Sequence, residues 1–154
     1  MTEPQNEAPR VAAPEMTARF SDPAGMRPAY RITVFVPPTH VEEVLDAVER
    51  EIDLVYGQYD RSAWWSAPGV EQFRPLPGSR PTVGVSGRLE QVPTVRLEFA
   101  VPHDAQLLQR VIRFGVLASH PWQEPAVFVD ETLVTATRMA EMTMTPTPVP
   151  HPWR

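Results

Sequence analysis

The chain contains no cysteine and no lysine. Without cysteine there is no disulfide, no thiolate nucleophile and no cysteine-built zinc site. Without lysine there is no Schiff base and no P-loop lysine to reach a phosphate. All 14 basic residues are therefore arginine. Glycine is scarce, with 7 residues against 19 prolines. No apolar run approaches the roughly 18 residues of a membrane span. The opening stretch MTEPQNEAPRVAAPEM is acidic and lacks an apolar core, so no secretory leader is expected. These absences lead to the expectation of a cytoplasmic protein with no membrane partner. A net charge of −5 argues against nucleic acid as a partner, because a phosphate backbone selects basic surfaces.

What remains is an ordinary globular composition, 42% apolar over 154 residues, which favours one domain. The prolines crowd the two ends and the stretch 68–93. Residues 1–28 are polar, proline-spaced and without period, and read as a disordered tail. Residues 137–154 include TMTPTPVPHPWR and read as a flexible proline-rich tail favouring polyproline II. The folded domain is expected over residues 29–136.

Inside that domain one pattern occurs twice. RITVFVPPTHVEEVLDAVEREI and VRLEFAVPHDAQLLQRVIRFGVL each join a short β-rich run, Val-Pro, and a helical stripe. Ile32, Val34 and Val36 alternate as one strand face, and Val95, Leu97, Phe99 and Val101 as another. Val41, Val44, Leu45, Val48 and Ile52 recur at helical spacing, as do Leu107, Leu108, Val111, Ile112 and Val116. Thr39 and Glu42 predict a capping box. Asp104 stands where a helix start favours an anion. Strands are also expected in YDRSAWWS (59–66) and AVFVDETLV (126–134). A short hairpin is expected in 70–74, returning on Trp64. The order β-α-β, β-α-β predicts an α+β, ferredoxin-like βαββαβ fold. Its antiparallel sheet carries both helices on one face, and a long central excursion separates the halves.

Three segments carry a family resemblance: GQYDRSAWWSAPGVEQFRPLPGSRP, VGVSGRLEQVPTVRLEFAVP and SHPWQEPAVFV. Together they resemble the CutA-like, PII-like domain inserted in dinuclear-metal hexameric proteins of the NGG-interacting-factor-three family (YqfO type). That domain also occurs as a small protein of its own. The resemblance spans residues 30–134. It implies a ferredoxin-like fold and, through the CutA and PII relatives, a homotrimer. The family's corner carries tyrosine at Trp122 and glutamate at Gln123, and asparagine is usual at Gln58. The histidine and carboxylate motifs of the dinuclear parent have no counterpart here, so its metal and any hydrolase activity are not carried over.

The corner SHPWQEP is the leading candidate site. His120 and Glu124 are candidate ligands for a small molecule or a divalent metal, with Tyr59 and Asp60 as further partners if their loop or a neighbouring subunit approaches. A metal needs ligands converging from several elements. The plainer alternative is a stiff turn, in which His120 caps a helix end, Pro121 and Pro125 stop the helix, and Trp122 lies on the sheet. Arg74 and Arg80 in FRPLPGSRP are candidate anion clamps or solvated turn residues. Trp64 and Trp65 point to opposite faces of a strand. One is expected in the core and the other, with Trp122, at a subunit interface. His40 and His103 open the two helices and read as exposed. No serine sits in a GxSxG context. The expectation is a non-enzymatic ligand- or metal-sensing module that self-associates, or an oligomeric interaction scaffold with its tails as linear motifs.

Overall fold

The computed structural model describes residues 25–57 and 59–136. The expected tails at 1–24 and 137–154 lie outside the described residues. Strand β1 (Gly25–Val36) begins four residues inside the stretch read as tail. It is followed by a 3-10 turn (Pro38–His40) and helix α1 (Val41–Glu49). Strands β2 (Ala63–Trp65), β3 (Gly69–Phe73) and β4 (Glu90–Pro102) come next. Helix α2 (Ala105–Arg110) continues as a π-helical turn (Val111–Leu117), and β5 (Val127–Ala136) closes the order.

The sheet order is β2-β4-β1-β5, antiparallel throughout. This is the ferredoxin-like arrangement. The alternation in the central strands explains the single core. Ile32, Val34, Val36, Leu97 and Val101 are fully buried on one face, against Val44, Val48, Val111 and Val116 of the helices. Val111 and Val116 are five residues apart. A π turn closes i to i+5, so the widened turn lets both reach the core. Gly115 makes the helix crossing close: a Cβ there would lie 3.0 Å from Val48 Cα.

Several local expectations are corrected. Thr39 does not cap α1, because the 3-10 turn precedes the helix and Thr39 Oγ1 is taken up by His40 Nδ1 at 2.9 Å. Asp104 is a true N-cap, accepting from the amides of Gln106 and Leu107 at 2.8 and 3.0 Å. The strand expected over 59–66 shrinks to three residues. The expected hairpin does not return on Trp64. Instead β3 pairs with the start of β4, beyond the reach of β1, and extends the line of β2. Neither tryptophan of β2 enters the core. Trp64 is 54% and Trp65 50% exposed, because an edge strand this short is not covered by the helices.

Among the described residues, nothing covers the sheet face opposite the helices. Glu98 accepts from Thr33 Oγ1 at 2.8 Å and from Arg96 at 2.9 Å. The Arg96 hydrogen bond, ahead of the opposing burial, holds its carboxyl below the usual range. Arg96 also lies over the Trp64 ring at 5.7 Å, and Phe35 meets Phe128 edge-on at 6.1 Å.

Candidate functional site

The corner after α2 is built around a buried imidazole. His120 is 8% exposed. Its Nε2 lies 2.8 Å from the Phe35 carbonyl of β1, and its Nδ1 lies 3.0 Å from the Trp122 amide. A carbonyl only accepts and an amide N–H only donates. Nε2 therefore carries the proton, and Nδ1 spends its lone pair on Trp122. Burial pushes the imidazole pKa down, against the opposing pull of the Phe35 carbonyl and Glu71. His120 is a neutral strut between β1 and the corner, with no lone pair left for a metal. It does not act as the helix-end cation, because its side chain turns to β1.

Fixing the Trp122 backbone aims its ring at the central excursion. Trp122 Nε1 donates to Glu71 of β3 at 3.1 Å. The Gln123 side-chain oxygen accepts from the Arg80 amide at 2.8 Å, and Thr82 Oγ1 donates to the Pro121 carbonyl at 2.5 Å. The partners in these three bonds are 51, 43 and 39 residues apart. Between the two segments lies a cleft of about 300 Å³. Phe73 and Trp122 form an aromatic wall, with ring centroids 6.1 Å apart and planes at 51°. Leu76 and Val83 add apolar surface, and Arg74 and Glu124 line the same cleft.

A β-bulge makes this convergence possible. From Trp65 to Gly69 the outer strand advances four residues while β4 moves three, from Leu97 to Thr94. A one-residue shift exchanges the faces of every later side chain. Without it Glu71 would point away from the side it now shares with Trp122. Periodicity alone gave no sign of this shift, so Glu71, Phe73 and Thr82 were missed as site residues.

The remaining sequence candidates lie elsewhere or contribute differently. Arg80 joins the corner through its backbone amide. Tyr59 and Asp60 follow α1. Tyr59 exchanges backbone hydrogen bonds with Tyr56, whose hydroxyl contacts Thr135. Thr135 pairs with Met26 at the start of β1, whereas the corner rests on Phe35 near its end. Tyr59 and Asp60 are thus at the far end of the sheet from His120 and Glu124 within one chain. Among the described residues no group of three or more histidines and carboxylates is placed to hold a metal ion. The donor set does not fit a divalent cation within a single chain.

No family model matches the chain. Individual proteins do. It is 32% identical over 99 residues to the GTP cyclohydrolase 1 type 2 homolog of Bacillus subtilis, covering 64% of this chain and 26% of that protein. The homolog from Halalkalibacterium halodurans is also 32% identical, over 63% of this chain and 25% of its own length. The crystal structure of a Bacillus cereus protein related to NIF3 superposes with a TM-score of 0.56 at 32% identity, over 72% of this chain and 27% of that one. The similarity is to a segment of the NIF3-related proteins. The sequence resemblance to the interacting-factor-three family holds in both sequence and structure. This chain spans about a quarter of the length of the NIF3-related chains it matches. Among its own described residues, no helix is long and apolar enough to cross a membrane.

Proposed function

We propose that the chain is a small, non-enzymatic regulatory module that senses a ligand in the cleft between the corner and the excursion. The observation that carries this reading is the tie between the two walls. Three side-chain hydrogen bonds join distant segments around an aromatic-lined hollow. A stiff turn alone would need only its prolines. Apolar walls with a few placed polar groups are the usual make-up of a small-molecule site.

The lining favours binding over chemistry. The Ser79 hydroxyl donates to the Leu76 carbonyl and that of Thr82 to Pro121. The buried imidazole spends both nitrogens on the backbone. No nucleophile is paired with a base there. In this reading His120 shapes the site, while Trp122, Phe73, Arg74 and Glu124 meet the ligand. On the same reading the ligand is organic, because both His120 nitrogens are already engaged within the chain. The module acts in the cytoplasm.

The open sheet face supports self-association as part of the same proposal. Trp64 and Phe128 are about half exposed there, at 54% each. The family resemblance makes a homotrimer the expected assembly. An oligomeric interaction scaffold is the competing reading, and this same face is what favours it.

Thermal unfolding separates the two. The module reading expects a saturable rise in melting temperature with one class of small molecule. At a hundredfold excess over Kd the gain is about 2.7 kcal/mol. Trp122→Ala removes that rise while leaving the core intact. If metals, nucleotides and amino acids all leave the wild-type melting temperature unchanged, the scaffold reading takes its place.

A further inference from the structure

We propose that the cleft selects an amphoteric small molecule: a carboxylate and an ammonium group carried on a compact aromatic or apolar body. This deepens the ligand-site reading above and rests on it. Arg74 and Glu124 both line the cleft, and both are exposed. Neither takes part in an ion pair among the described residues, although five arginine–carboxylate pairs form elsewhere among them. Glu71 is a second carboxylate on the lining, already committed through one oxygen to the Trp122 indole.

These charges discriminate among ligand classes. A simple anion gains Arg74 but faces two carboxylates. A simple cation gains Glu124 but meets the guanidinium. A polyphosphate finds one arginine where its charge calls for several. A molecule with both charges can satisfy the planar fork of Arg74 with its carboxylate and Glu124 with its ammonium group. The tilted Phe73 and Trp122 rings, with Leu76 and Val83, then receive its body. A volume of about 300 Å³ lies at the low end for small-molecule sites, so the body is of one or two rings. An α-amino acid with an aromatic side chain has this chemistry.

The test titrates the full chain with phenylalanine, with phenylalaninamide, which lacks the carboxylate, and with 3-phenylpropionate, which lacks the amine. The readout is the Trp122 indole N–H signal in a nitrogen-15 spectrum, assigned with Trp122→Phe. Phenylalanine is expected to shift that signal saturably, and to bind about tenfold or more tightly than either relative, since tenfold is only ~1.4 kcal/mol. Arg74→Gln should lower phenylalanine to the level of the amide. Glu124→Gln should lower it to the level of 3-phenylpropionate. Both residues are exposed, so neither change threatens the fold. If a singly charged relative shifts the signal as tightly as phenylalanine, amphoteric selection is overturned and the cleft remains a ligand site. If none of the three shifts it, amphoteric selection is overturned, and the ligand-site reading is then decided by the thermal-unfolding screen with metals, nucleotides and the other amino acids.

Discussion

His120 joins three parts of the molecule through one ring. Its Nε2–H holds β1, its Nδ1 holds the Trp122 amide, and Trp122 in turn holds Glu71. A second proton would have to sit on Nδ1, pointing at an N–H that has no lone pair to accept it. Burial, the Phe35 carbonyl, Glu71 and the more distant His40 all act on this ring, and burial dominates. The folded-state pKa is therefore below the ordinary 6.5. Above 6.5 the ring is neutral folded or unfolded, and the strut costs nothing. As pH falls from 6.5 through the folded value, the unfolded chain takes the proton first, and stability is lost. We expect the melting temperature to drop between pH 7 and 5, with Trp122 emission changing alongside. His120→Ala should lower stability at pH 7, because the Phe35 carbonyl and the Trp122 amide each lose a partner at about 1–3 kcal/mol. The difference between wild type and variant should then shrink as the pH falls. A constant difference across that range would contradict the neutral strut.

The elements differ in how well the sequence announced them. β1, α1, β4 and α2 were legible because each buries one face against the other layer, and that burial writes a period of two or 3.6 into the chain. Their ends were less legible. Thr39 has a capping-box pattern yet makes no cap bond, while Asp104 makes two. Asp104→Ala should thus cost about 1 kcal/mol in urea unfolding, and Thr39→Ala almost nothing. Equal losses would show that the two helix starts are not as different as described. The outer strand was the least legible element. Ala63–Trp65 and Gly69–Phe73 both pair with β4, with a bulge between them. A bulge breaks the alternation from which a strand is recognised. The same break hid half of the candidate site. The proline-pinned corner could be singled out from its residues. Its partners Glu71 and Thr82 could not, since they arrive through strand pairing and loop closure over 51 and 39 residues.

At the scale of the whole molecule, two surfaces among the described residues matter to the account. The sheet face presents Trp64, Phe35 and Phe128 around the bonded Arg96–Glu98 pair. It has the aromatic character of a contact surface. The cleft lies between the corner and the excursion, and meets that face at Glu71, which also lines a hollow with Phe35 and Arg96. It is the proposed ligand site. Assembly through one and sensing through the other are compatible in a single chain. Native mass spectrometry tests this most directly. The purified protein would be sprayed alone, then with phenylalanine, ATP or zinc, beside Trp122→Ala. The account predicts ions at a multiple of the 17.3 kDa chain mass, three for a trimer, with one phenylalanine retained per chain. Trp122→Ala should keep the assembly and lose the ligand. A protein that stays bare under every condition would contradict the ligand cleft at the centre of the account.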